Sequence, residues 1–348
     1  MNLKYYKNLD GLRGIASLMV LVFHFFITPN SSYLTNRSVY QSLTLFGQHG
    51  VSLFFVLSGF VITRILINSK EDENYFVRFY WKRALRILPL YYIFLFAFYF
   101  ALDLLKWSNI SHQLPYLLYY QNFDTIFNFV ALGPSHYWSL AIEEHFYLIW
   151  PLVVYFVPTR NLLKVIFILF VAVFLVKYVM LFHGIGISKF TFARIDQLLF
   201  GAILSIMELK NMFKNDKTRI YLFLILIGTL LINAILFLQA NNYPFWTELL
   251  KYTTLGLLFF TFLGWLITLN GDHPLNVLLS SKVLQYLGKI SYGIYIWHIL
   301  VLFILNKYFL TKNLILDFSL SIALSILVAH ISFYYYERQF LKLKNKYA

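Results

Sequence analysis

Runs of about 20 mostly apolar residues recur along the chain, each long enough to cross bilayer hydrocarbon as a helix. They predict about ten spans by that criterion, at 11–28, 50–67, 89–105, 137–157, 163–181, 193–208, 220–239, 248–269, 290–306 and 315–336. The third opens on Pro89, which suits a helix's first turn because its missing N–H has no partner there. Arg13 and His24 interrupt the first run, and no small-residue cleavage site follows it. It therefore reads as a retained span and not a secretory signal. The longest connection, from Trp107 to His136, is too short for a separate soluble domain, so residues 1–348 read as one membrane-embedded domain. The expected fold class is all-α, a polytopic transmembrane helical bundle.

Composition sharpens this picture. Of 348 residues, 60% are hydrophobic and 13% charged, against about half and about a quarter in soluble globules. The charges are lopsided, 29 Lys and Arg against 15 Asp and Glu, for a formal net charge of +14. In a soluble protein that surplus would point to nucleic acid; in a membrane protein it marks topology, because basic residues concentrate in cytoplasmic connections. With the N-terminus placed in the cytoplasm, most of the lysines and arginines of the connections fall on that side. Both termini are then cytoplasmic, and no nucleic-acid partner is expected. The absence of cysteine excludes disulfides, thiolate nucleophiles and Cys-based metal sites. There is no Walker loop and no GxGxxG opening a helix, and the histidines lack metal-ligand spacing, so no metal is expected.

Ionisable groups inside a membrane are costly and mark functional sites or buried pairs. On the first span, Arg13 and His24 differ by only about 20° around a helix and lie about 16 Å apart along it. Ser17 shares that stripe, with Asp10 and Thr28 near it. The competing reading has Arg13 snorkelling to the inner interface and His24 satisfying a carbonyl. Before Pro89, Arg78, Lys82, Arg83 and Arg86 fall within an arc of about 140°, as on an interfacial amphipathic helix. Such a face either anchors on anionic lipid or docks a phosphorylated cytosolic ligand. Ahead of Pro151, His136, Ser139, Glu143 and Tyr147 share one stripe, with Glu144 about 100° away. A carboxylate bonded to a histidine ring would fix its tautomer; ion pairing between helices is the alternative. Arg194 and Asp196 fall on opposite sides of the sixth span and must seek different partners, while Ser291, Tyr295 and His298 share a stripe of the ninth. His145 points away from the Glu143 stripe and His330 has no polar company in sequence, so both read as packing residues.

Taken together these segments resemble the acyltransferase-3 family of integral-membrane O-acyltransferases, which includes bacterial O-antigen acetylases. Leu9-Asp-Gly-Leu-Arg13-Gly-Ile-Ala resembles the family's opening, and Arg13 to His24 its Arg, ten residues, His signature. Val51-Ser-Leu-Phe-Phe-Val-Leu-Ser58-Gly-Phe is similar to its second-span motif, and Arg83-Ala-Leu-Arg86 to its RxxR. Trp138-Ser-Leu, Glu143-Glu144 and Phe146-Tyr147 resemble its WSLxxEExFY block; Arg194-Ile-Asp196 and Ser291-Tyr292 through His298 resemble later blocks.

The resemblance implies a cytoplasmic acyl-CoA donor, most often acetyl-CoA, and a hydroxyl acceptor on a cell-surface or lipid-linked glycan. It also implies residence in the inner membrane of a bacterial cell envelope. Some relatives carry an added extracytoplasmic esterase-like domain; none is expected here, so the bundle would deliver the acyl group by itself. On this view His24 is the base, oriented or charge-stabilised by Glu143, with Arg13 meeting the pantetheine or the thioester oxyanion. Arg83, Arg86 and Lys82 would hold CoA phosphates, and Asp10, Ser58, Glu144, Arg194, Asp196, Tyr295 and His298 are candidate acceptor contacts. Direct transfer and a transient acyl-imidazole on His24 both remain open. The competing class is a transporter or flippase for a glycan or lipid-linked intermediate, using Arg13, Glu143 and Arg194 as a polar pathway.

Overall fold

The structure is a computed structural model that describes residues 3–27, 37–101, 110–239, 242–309, 311 and 313–344. Thr28 and Trp107, named above, lie outside the described residues. Among those described there is no strand, and each expected span meets a helix. These are α1 (Lys7–Ile27), α2 (Arg37–Asn68), α3 (Tyr75–Ala101), α4 (Trp138–Phe156) and α5 (Leu162–Phe182). They continue with α6 (Thr191–Leu209), α7 (Asp216–Leu238), α8 (Pro244–Thr268), α9 (Lys282–Tyr308) and α10 (Leu314–Ile331). Eight helical stretches among the described residues are apolar and long enough to cross a membrane. The long helices outside that set are α4, which carries Glu143 and Glu144, and α6, which carries Arg194, Asp196 and Glu208. The chain is an all-α, multi-pass membrane protein.

One boundary differs from expectation. Pro89 does not open a span: α3 runs unbroken from Tyr75 to Ala101, so the basic segment and the apolar run are one helix with Pro89 inside it. A proline there removes one backbone bond and crowds the preceding turn. Two hydroxyls bond carbonyls at this turn, Tyr292 donating to Ile87 at 2.9 Å and Tyr336 to Pro89 at 3.3 Å.

The chain divides into two compact units. The first gathers residues 1–5, 52–75 and 109–276, which is the second half of α2 with α4 to α8. The second gathers residues 6–51, 76–108 and 277–348, which is α1, most of α3, α9 and α10. Within the second unit, α1 and α9 run parallel in close contact. A Cβ at Gly288 would overlap the Asp10 carbonyl, and one at Gly14 would stand 2.9 Å from the Leu287 Cβ and 3.0 Å from the Leu284 carbonyl. Only hydrogen at these positions permits such an approach, the usual device for packing helices in lipid, where lipid tails compete for apolar contact. Leu21, Leu287, Ile290, Ile294 and Ala329 form the core beside it. In the first unit Gly59 and Gly201 make a similar crossing of α2 and α6, each against the other helix's backbone.

Candidate active site

On α1, Asp10 and Arg13 are one turn apart and form an ion pair at 3.2 Å, both partly exposed. Ser17 turns its hydroxyl back to the Gly14 carbonyl at 2.8 Å instead of completing the polar stripe. His24 is half-buried, with Nδ1 2.9 Å from the Val20 carbonyl. The same Nδ1 lies 3.1 Å from Nε2 of His298 on α9. His298 is fully buried, and its Nδ1 is 2.7 Å from the Tyr295 carbonyl and 3.2 Å from that of Ile294. Tyr295 is buried beside it, ring against ring. Two candidates 274 residues apart are therefore brought together.

The second unit also holds the basic face of α3. Lys82 and Arg83 are half-buried, with the Arg83 guanidinium 5.9 Å from the Phe79 ring centre, and Arg86 is exposed. The segment after α10 returns to this face, where Trp81 Nε1 donates to the Leu343 carbonyl at 3.4 Å. Lys344 thereby joins the cluster. Partial burial, and then the charges of Arg86, Arg83 and Lys82, pull its ammonium down to about 8. Cations crowded enough to discourage one another's protonation form a ready site for an anion. Lys344 was not among the sequence candidates, because nothing local ties residue 344 to residues 82–86.

In the first unit, Tyr147 bridges Ser58 and Glu143: its hydroxyl is 2.5 Å from Ser58 Oγ and donates to Glu143 Oε2 at 3.2 Å. Glu143 and Glu144 are both half-buried. His136 sits in a 3-10 turn just ahead of α4, so only the later part of the expected stripe is helical. His145, read as packing, instead places Nδ1 2.7 Å from Thr191 Oγ1, which also accepts from Asn122 at 2.7 Å. His330, in the second unit, likewise meets the Tyr286 hydroxyl at 2.7 Å. Both partners come from other helices, which a helical wheel does not contain.

Arg194 and Asp196 do take different partners. Arg194 is buried, donates to the Ser188 carbonyl at 2.7 Å and to Gln197 Oε1 at 3.1 Å, and lies 3.8 Å from the Tyr252 ring centre, with Trp138 and Phe55 also around it. Asp196 accepts from Lys177 Nζ at 2.5 Å and Thr253 Oγ1 at 2.7 Å through Oδ2, and from the Gln197 amide through Oδ1. Lys177 is fully buried on α5 and was not singled out as a site residue. Its signal was present: a lysine deep in an otherwise apolar helix needs a carboxylate.

A family model described as "Acyltransferase domain" matches residues 6–334. A Staphylococcus aureus (strain COL) protein named "Putative O-acetyltransferase" is 29% identical over 370 residues, covering 98% of this chain and 58% of its own. "O-acetyltransferase OatA" of S. aureus (strain NCTC 8325 / PS 47) is 28% identical over 361 residues, covering 96% and 57%. The chain thus spans less than two thirds of the length of these curated relatives. No solved structure matches it.

Proposed function

Because the chain belongs to the family of acyltransferase domains, whose model spans residues 6–334, we propose that it moves an acyl group, acetyl first among them, from cytoplasmic acyl-CoA to a hydroxyl of a cell-surface or lipid-linked glycan. The supporting observation is that one compact unit holds both a membrane-helix histidine, His24, and a cluster of cations at Lys82, Arg83, Arg86 and Lys344. Acyl transfer to a hydroxyl needs a base, an oxyanion stabiliser and a grip on the donor. His24 is the base and Arg13, steadied by Asp10, stabilises the oxyanion or meets the pantetheine. Arg83, Arg86 and Lys82 hold the phosphates. The forked guanidinium geometry of arginine suits phosphate oxygens.

Glu143, which Tyr147 ties to Ser58, keeps the orienting or charge-stabilising role the resemblance implies; Ser58, Glu144, Arg194 and Asp196 are the acceptor candidates of the first unit, and Tyr295 that of the second. The enzyme sits in the cytoplasmic membrane with both termini inside, as its basic residues favour.

The test is transfer of label from radiolabelled acetyl-CoA to envelope glycan in membranes containing the protein. Label should appear with the wild type and be lost with His24→Ala at equal protein levels. Movement of a glycan across the membrane without covalent labelling would overturn the reading in favour of transport.

A further inference from the structure

The first unit holds a cavity of about 580 Å³ between the start of α7 and the residues that follow α8. That volume falls in the range of small-ligand sites, roughly 300–1,000 Å³. Arg219 and Phe223 line it from α7, Trp265 from α8, and Asn270, Asp272 and His273 from the turn beyond. Both helices are apolar and long enough to cross a membrane, so a cavity at one end of the pair meets the lipid headgroups. Its wall is already set. Buried Asn276 donates to the Leu269 and Asn270 carbonyls at 3.2 and 2.8 Å, and the Leu275 amide donates to His273 Nδ1 at 3.2 Å. That last bond leaves the hydrogen of the neutral His273 ring on Nε2, as a donor. Trp265 stands between two rings, its centre 5.4 Å from that of Phe223 and 6.1 Å from that of His273.

The lining carries two charges of opposite sign. Arg219 is half-buried, with Nη2 2.9 Å from Asp216 Oδ1, and a guanidinium has five N–H donors, more than one such contact uses. Asp272 is exposed and forms no ion pair or side-chain hydrogen bond among the described residues. A purely anionic ligand would be repelled by Asp272, and a purely cationic one by Arg219. A zwitterion satisfies both. From the cavity, Ile220, Leu224, Ile227 and Leu231 run along α7 as one exposed apolar stripe at helical spacing. The stripe is about 16 Å long, close to the ~15 Å of hydrocarbon in one leaflet. We propose that the cavity holds the headgroup of an aminophospholipid, with its phosphate on Arg219, its primary ammonium on Asp272 and an acyl chain along the α7 stripe. Trp265 is the kind of amphipathic ring that settles at the membrane boundary. The primary ammonium matters because it can donate hydrogen bonds to a carboxylate, whereas a quaternary one cannot. The proposal goes beyond the acyl-transfer reading and does not depend on it.

The experiment uses the full chain, delipidated in detergent and titrated with dioleoyl phosphatidylethanolamine, phosphatidylcholine or phosphatidylglycerol, with retained lipid counted by native mass spectrometry. The wild type should hold one phosphatidylethanolamine more tightly than any further copy. The other two headgroups should bind about tenfold more weakly, the scale of one lost hydrogen bond to a charged group. Arg219→Gln and Asp272→Asn should each weaken phosphatidylethanolamine by a similar factor, and Asp272→Asn should also erase the preference over phosphatidylcholine. Lys217→Gln removes an exposed charge from the same turn of α7 that does not line the cavity, and should change nothing. The headgroup series needs no substitution, so it judges the proposal even where a variant fails to fold. Equal retention of the three lipids, or none of phosphatidylethanolamine, would overturn the proposal. So would unchanged binding in both cavity variants. Tighter phosphatidylglycerol, weakened as much by Lys217→Gln as by Arg219→Gln, would overturn it in favour of a diffuse anion-attracting surface.

Discussion

In the first unit, Lys177 meets Asp196 and Thr253, and Arg194 is enclosed by Tyr252, Trp138 and Phe55 while donating to Ser188 and Gln197. In the second, His24 is half-buried and its marked neighbour, His298, is another ring able to gain or lose a proton. Both arrangements place ionisable groups within apolar helices, yet the first opposes a lysine to a carboxylate and the second sets two imidazoles against each other. Fixed opposite charges in a dry interior hold helices together and resist change. Imidazole, unlike a lysine paired with a carboxylate, exchanges a proton near neutral pH. The contrast separates what keeps a helix bundle assembled from what lets it do chemistry.

The sharpest way to break that contrast is to remove one member of each set. His24→Ala should lower acyl transfer by about 10²- to 10⁴-fold, the usual contribution of a general base, while leaving thermal unfolding in detergent nearly unmoved. Lys177→Met should do the reverse, costing about 3–5 kcal/mol of stability by stranding the Asp196 carboxylate. The double variant Lys177→Met with Asp196→Leu should recover most of that loss in the same melt. If Lys177→Met melts like the wild type but stops transfer, the two units do not divide labour in this way.

Arg194→Lys tests the enclosure itself. It keeps the charge but loses the planar fork and the broad contact with Tyr252, and should cost about 1–3 kcal/mol in the same unfolding assay. The smallest effect belongs to the basic cluster. Lys344 has its ammonium lowered to about 8, so it is charged below that pH and neutral above it, whereas an ordinary lysine stays charged well beyond. CoA binding measured calorimetrically should therefore weaken a few-fold as pH rises through about 8. Lys344→Met should flatten that decline.

Much of the helical order was legible in the sequence because lipid demands long apolar runs, and those runs are local. The stripe on α1 was legible for the same reason, since helical spacing alone aligns Arg13 with His24. What escaped was every fact made by a second segment. Pro89 read as a helix start because the hydroxyls of Tyr292 and Tyr336 that bond carbonyls at its turn lie 205 and 247 residues away in sequence from their acceptors. His145 and His330 read as apolar packing because Thr191 and Tyr286 were invisible from their own helices. His298 was singled out by its own stripe, but its meeting with His24 depends on a glycine crossing that periodicity does not report.

That crossing acts as a ruler. From the point where Gly14 and Gly288 meet the opposite helix, each helix of the pair counts the same ten residues to its histidine, about 15 Å along the axis. Apolar residues within the two intervals can be exchanged with little consequence for the meeting. A single inserted or deleted residue in either interval cannot, because it would swing one ring by about 100° away from the other. Descendants of this chain are therefore free to vary in letters there, but not in length.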